Sequence, residues 1–190
     1  MGKGFFEQAH RFGKSFMLPI AVLPAAGLLL GIGGAFSNPT TIEVYSFLDQ
    51  KGLQAIFTLM SSAGNIVFAN LALIFAVGVA IGLARNDKGT AGLAAVLGYL
   101  VINATMNAML IVTEELAESN LAEVGQGTIL GIQSLETGVF GGIMLGLVTY
   151  WLHQRYNNVE LPKFLGFFGG SRFIPIITAF MSLILYYRKV

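Results

Sequence analysis

The 190-residue sequence predicts an all-α integral membrane protein, with about five transmembrane helices and additional interfacial amphipathic helices. Hydrophobic residues make up 55% of the chain and charged residues only 11%, whereas an ordinary soluble domain carries about 25% charged residues. The mean hydropathy is +0.72. The charges are bunched between long uncharged stretches, so the excess apolar surface is expected to face lipid.

Apolar runs define the predicted spans, since about 20 apolar residues are needed to cross a bilayer of roughly 30 Å. Before the first run, residues 1–14 carry mixed charge and place Phe5 and Phe12 on one helical face, which is typical of an interfacial amphipathic helix. Polar residues interrupt the segment 42–62, which is interpreted as one or two short interfacial helices. The predicted spans lie near residues 16–36, 66–84, 91–112, 135–152 and 173–187.

The distribution of Lys and Arg predicts the orientation of these spans. Eight of the nine basic residues that precede the last span lie before the first span, in the turn 85–89 or in the segment 153–172, and the ninth is Lys51. Basic residues are enriched in cytoplasmic loops of membrane proteins. The amino terminus is therefore expected in the cytoplasm, and the acidic loop 114–133 is expected outside.

The composition excludes several kinds of site. The chain has no cysteine, which removes disulfides, thiolate metal sites and a cysteine nucleophile, and His10 and His153 lie too far apart in sequence to suggest a metal site. The glycine-rich stretches lack the spacing of nucleotide-binding loops. A net charge of +1 gives no reason to expect nucleic acid as a partner. No cofactor and no metal ion are predicted.

Pairs of small residues four positions apart occur in four of the predicted spans. Such pairs let helix backbones approach closely in lipid, where the hydrophobic effect does not drive helix association. They predict a compact bundle and self-association of the chain, with Gly78, Gly82, Gly142 and Gly146 as the expected contacts. The remaining pairs are Gly27 with Gly31 and Ala94 with Gly98.

Four segments, taken in order, carry a resemblance to a known family. They are RFGKSFMLPIAVLPAAG at 11–27, NLALIFAVGVAIG at 70–82, TGVFGG at 137–142 and LPKFLGFFGGSRFIP at 161–175. Together they resemble the glucose-superfamily membrane component, enzyme IIC, of the bacterial sugar phosphotransferase system. The resemblance implies that residues 1–190 are the amino-terminal part of a glucose-type permease.

The resemblance implies a homodimeric subunit of the bacterial cytoplasmic membrane that takes up glucose or a related hexose or glucoside. The sugar is phosphorylated as it crosses, from a phosphocysteine on a separate IIB domain or protein. In that family a carboxy-terminal half holds most sugar contacts, and these residues do not include it. This chain alone is therefore expected to be inactive as a phosphotransferase. The alternative interpretation is a non-transporting membrane module that dimerises with, or regulates, a full-length copy.

Three basic residues are candidates for contact with an anionic product or a phosphorylated IIB partner: Arg11, Lys14 and Arg172. They precede the first and the last predicted spans, on the side expected to be cytoplasmic. Anchoring at the membrane surface is the alternative explanation for them. Ser171 stands where the family usually has a lysine.

Overall fold

A computed structural model describes residues 2–187, which form eight α-helices and one antiparallel β-hairpin. The predicted all-α membrane class is confirmed, and the short hairpin is the addition to it. Four 3-10 turns, at Ser46–Asp49, Leu121–Val124, Lys163–Phe168 and Gly170–Arg172, complete the described elements. The elements are α1 Gly2–Ser15, α2 Met17–Phe36, α3 Pro39–Val44, α4 Lys51–Ala69, α5 Leu71–Leu83, α6 Lys88–Val112, β1 Gln126–Ile129, β2 Ile132–Leu135, α7 Gly138–Tyr156 and α8 Phe173–Tyr187.

The chain divides into two compact units. The small unit is Pro19–Asn70, and the large unit combines Met1–Leu18 with Leu71–Val190. The small unit therefore contains most of α2 together with α3 and α4. The large unit contains α1, the hairpin and α5 to α8.

Two glycines bring α2 and α4 together in the small unit. A Cβ placed on Gly33 would meet the backbone of Ser61 and lie 2.6 Å from the carbonyl oxygen of Phe57. A Cβ on Gly64 would lie 2.5 Å from the backbone nitrogen of Leu30. These distances are too short for any side chain, so the helices pack backbone to backbone. By contrast, Gly31, one of the glycines predicted to pack, has no atom within 4 Å of its Cβ position.

The predicted span 66–84 is wrong as a single helix. The chain breaks at Asn70, whose side-chain amide donates to the carbonyl oxygen of Ile66 at 2.8 Å and so ends α4. Short helical elements, α3 and the 3-10 turn Ser46–Asp49, do occupy the first part of the segment 42–62, but the residues from Lys51 onward form the 19-residue α4 and not a short interfacial helix. Lys51 and Gly52, which we interpreted as an interruption, occupy the first turn of this helix, where polar residues are well tolerated.

Three helical segments in the part of the chain that the structure describes are both long and apolar enough to cross a membrane: Ala9–Phe36, Lys51–Ala69 and Lys88–Val112. Two more, Leu71–Leu83 and Gly170–Ile184, are apolar but shorter. At about 1.5 Å per residue, the 13 residues of α5 extend roughly 20 Å, less than the hydrocarbon thickness. α7 has 19 residues, but its last turns are polar.

In the large unit, α5 packs against α1, α6 and α7, and α6 packs against α7 and α8. Ala76, Tyr99 and Leu145, one from each of α5, α6 and α7, form a buried cluster. Small residues on α5 and α6 allow these close approaches: Ala76, Ala91 and Ala94 are fully buried. This packing fixes the ends of α1, α5 and α6, from which the candidate site is built.

The β-hairpin begins in the predicted acidic loop 114–133, ends at Leu135, where a span was predicted to start, and pairs Gln126 with Leu135. Ser134 is fully buried and its hydroxyl donates to Asn103 on α6 at 2.7 Å. The side-chain amide of Asn107, one turn further along α6, donates to the carbonyl oxygen of Gln133 at 2.8 Å. The hairpin is therefore fixed to α6 by side-chain hydrogen bonds.

Candidate functional site

A cavity of about 740 Å³ lies between α1, the end of α5 and the start of α6. Its charged lining is mainly basic: Arg11 and Lys14 come from α1, Arg85 from the turn after α5, and Lys88 from the first turn of α6. Glu7 is the one carboxylate among the described lining residues. The rest of the lining is small or apolar and consists of Ser15, Met17, Leu18, Gly78, Ile81, Gly82 and Ala84.

Contacts between α1 and α5 form one wall of this cavity. The Arg11 guanidinium donates from Nη2 to the carbonyl oxygen of Leu83 at 3.0 Å. Leu83 is the last residue of α5, where carbonyls lack helical partners and the helix dipole favours positive charge. A Cβ on Gly82 would lie 2.5 Å from the Ser15 side chain, so the absence of a side chain at Gly82 lets α1 approach. Gly82 and the Arg11–Leu83 hydrogen bond thereby hold Arg11 at the carboxyl end of α5.

The turn between α5 and α6 is held by Asp87, which adopts a left-handed conformation with φ 41° and caps α6. Its carboxylate accepts from the Thr90 hydroxyl at 2.7 Å and from the Thr90 backbone N–H at 3.3 Å. Hydrogen bonds from the Ser171 hydroxyl, and then from Thr90, hold the pKa of the Asp87 carboxyl below its ordinary value. Ser171 therefore links the 170–172 turn to the start of α6.

The three basic residues predicted for the site do not all meet. Arg11 and Lys14 line the cavity together, but Arg172 is not among its lining residues. The exposed Arg172 side chain donates to the carbonyl oxygen of Phe167 at 3.3 Å and places its guanidinium carbon 4.8 Å from the Phe167 ring centre. This is a local contact within the aromatic segment after α7. Arg172 as an anion-facing group accordingly stays a prediction.

Sequence reasoning missed two cationic members of the site, Arg85 and Lys88. Both were used only as markers of orientation, because they lie in a short polar turn about 70 residues away from Arg11 in sequence. The signal that could have found them is their predicted side of the membrane, since Arg85 and Lys88 were expected at the same cytoplasmic face as Arg11 and Lys14.

The four predicted glycine contacts lie at helix contacts or at the cavity inside one chain. A Cβ on Gly142 would collide with the carbonyl oxygen of Ala72, and a Cβ on Gly146 would lie 2.7 Å from that of Ala76. Gly142 and Gly146 therefore pack α7 onto α5. Gly82 packs α5 onto α1, and Gly78 is buried beside the cavity. Self-association through these glycines stays a prediction.

The arrangement is suited to attracting anions and not to covalent catalysis. Four basic side chains around one carboxylate produce a positive field, and Arg and Lys are the side chains that recognise phosphate and carboxylate groups. Among the described residues, no group of three or more His, Asp or Glu side chains is placed to hold a metal ion. The site is therefore a candidate for contact with an anionic ligand or an acidic partner surface.

Comparison with known proteins identifies the family. The family model described as phosphotransferase system, EIIC, matches residues 13–188. The chain is 49% identical over 185 residues to the PTS system glucose-specific EIICBA component of Staphylococcus carnosus, and 48% identical over 185 residues to the protein of the same name from Staphylococcus saprophyticus. Each alignment covers 97% of this chain and 27% of the relative, so the chain spans about a quarter of their length.

The matched region begins near the end of α1 and ends beyond α8, and it includes all the residues that line the basic cavity except Glu7 and Arg11. The chain belongs to the EIIC family of phosphotransferase-system membrane proteins.

Proposed function

We propose that the chain is the amino-terminal part of the membrane subunit of a phosphotransferase-system permease that takes up glucose or a related hexose or glucoside. The observation that carries this proposal is the family match over residues 13–188, together with 49% identity to a glucose-specific EIICBA component. In the proposed reaction the sugar is phosphorylated as it enters, and the phosphoryl group comes from a IIB partner. The chain itself has no cysteine to carry that group.

The proposed partners are a glucose-like sugar, a phosphorylated IIB domain or protein, and a second copy of the chain. The names of the EIICBA relatives support a IIB domain within the same polypeptide. A phosphorylated IIB surface is anionic, and the basic cavity between α1 and the α5–α6 turn presents complementary charge. We place the chain in the bacterial cytoplasmic membrane as a multi-pass protein.

A segment exchange tests the proposed function. Residues 13–188 replace the matching segment in the Staphylococcus carnosus EIICBA component, and uptake and phosphorylation of labelled glucose are measured in cells that lack other glucose permeases. We expect the chimera to retain both activities, because the exchanged segment belongs to the same family and supplies the same scaffold. The isolated chain in proteoliposomes is expected to give no uptake above a protein-free control.

The same EIICBA component with the segment deleted is the negative control. A chimera that inserts and elutes as a folded protein, yet takes up neither glucose nor related hexoses and glucosides, contradicts the proposed function.

The proposed topology places the amino terminus in the cytoplasm and residues 114–133 outside, as the distribution of basic residues indicates. Single cysteines at the exposed positions Ser119 and Glu160 test it in a chain without native cysteine. An impermeant thiol reagent added to intact cells is expected to label S119C, and E160C only after lysis. Labelling of E160C but not S119C in intact cells would show the opposite orientation.

A further inference from the structure

His153 is a buried side chain whose two ring nitrogens have no partner among the described residues. It lies near the carboxyl end of α7 and is 1% exposed, and neither Nδ1 nor Nε2 makes a hydrogen bond. Buried polar atoms in native proteins nearly always have a hydrogen-bond partner. A neutral imidazole carries one N–H donor, which can donate to an oxygen atom of a ligand here.

A second cavity, of about 180 Å³, adjoins His153 and has a polar lining throughout. The other described residues around it are Arg85, Asn86, Gln154, Asn157 and Asn158. One guanidinium and four carboxamides supply many N–H donors, and none of these six lining residues is acidic. The volume is several times the roughly 30 Å³ occupied by one water in the liquid, which leaves room for a tetrahedral oxyanion.

One carboxylate, that of Asp87, lies close to this pocket. Asp87 follows the lining residue Asn86 and interacts electrostatically with His153, but it does not line the pocket, and its carboxylate accepts hydrogen bonds from Ser171 and Thr90 on other elements. The carbonyl oxygen of His153 itself accepts the backbone N–H of Asn157 at 3.2 Å. The side chains that line the pocket therefore offer more hydrogen-bond donors than acceptors.

Arg85 lines both this pocket and the larger basic cavity. An anion drawn toward Arg11, Lys14 and Lys88 therefore reaches a guanidinium that also borders His153. The two cavities share this one residue, and both are formed within the large unit.

We propose that His153, Arg85 and the surrounding carboxamides form a binding site for a phosphate group. The guanidinium supplies the charge, the carboxamides of Asn86, Asn157 and Asn158 donate to phosphate oxygens, and the imidazole N–H donates from the buried side. The phosphate is either that of a free ion or ester, or that of a lipid headgroup. This site does not depend on the proposed transport activity.

The test titrates inorganic phosphate into the purified chain in a detergent without phosphate, and follows the imidazole ¹⁵N signals of His153. A His10→Gln variant identifies the His153 signals, since the chain has two histidines. We expect a saturable shift of His153 with phosphate, and no such shift with chloride at the same ionic strength. A soluble short-chain phosphatidylglycerol, titrated separately, distinguishes a lipid headgroup from a free phosphate as the ligand.

Arg85→Gln is the test variant, and Arg155→Gln is its matched control. Both side chains are exposed cations, but Arg155 lines neither cavity. Removing a charged hydrogen bond should weaken binding about tenfold or more in Arg85→Gln and change it less than about twofold in Arg155→Gln. The parent titration decides the proposal if Arg85→Gln does not fold. No saturable shift with either phosphate or lipid, an equal shift with chloride, or equal weakening in both variants overturns the proposal.

Discussion

Gly142→Leu and Gly146→Leu are expected to remove most folded protein. The Cβ positions of both glycines fall on carbonyl oxygens of α5, those of Ala72 and Ala76. Backbone atoms cannot rotate away, so α7 would have to separate from α5. Overpacking typically costs about 1–3 kcal/mol and sometimes more, and helix packing in lipid depends on such close approach. Thermal unfolding and size-exclusion profiles in detergent measure the loss.

Gly31→Leu is the control for this prediction, because Gly31 also lies within an apolar helix but its Cβ position has open space around it. Sedimentation of the same samples examines the proposed homodimer: the parent chain is expected to be dimeric. A Gly146→Leu variant that remains folded but becomes monomeric would contradict the in-chain explanation and support a contact between copies.

Gly64→Leu is expected to separate α4 from α2 in the small unit, with a loss of stability comparable to that of Gly142→Leu. Its side chain would have to displace the backbone of α2, since the Cβ position lies 2.5 Å from the nitrogen of Leu30 and 2.6 Å from the carbonyl oxygen of Ala26. We expect faster hydrogen exchange of backbone amides throughout α2 and α4. Peptide-resolved hydrogen exchange by mass spectrometry measures this change.

Gly27→Leu is the matched control in the same unit, where the nearest atom to the Cβ position is the tip of the Phe68 ring at 3.9 Å. A ring can move aside, so exchange in α2 and α4 should change little. Equal exchange in Gly64→Leu and in the parent chain would contradict the backbone packing of α2 on α4.

Composition and hydropathy were sufficient to predict the class of this fold, because lipid demands long apolar segments whatever their packing. They could not locate the end of α4. Asn70 looks like one polar residue within an apolar run, and only its hydrogen bond to Ile66 makes it a helix end. The β-hairpin was missed for a similar reason. Its strands carry no alternating apolar pattern, and the side chains of Gln126 and Gln133 instead hydrogen-bond to each other and to nearby backbone carbonyls.

The candidate site shows the same limit. Arg11 and Lys14 were predictable because they lie three residues apart on one helix. Arg85 joins them only through the packing of α1 on α5, which depends on the absence of a side chain at Gly82. The burial of His153 was not predicted either, because one sequence does not show which side chains the packing of helices will cover.

The hairpin makes the connection from α6 to α7 rigid, because it is hydrogen-bonded to α6. Its two loop residues, Leu130 and Gly131, both have positive φ, which fixes a tight turn and thus the strand register. Asn103 and Asn107 on α6 form hydrogen bonds with β2, and α7 begins only three residues after β2 ends. A sliding movement of α6 along its axis would therefore carry the start of α7 with it.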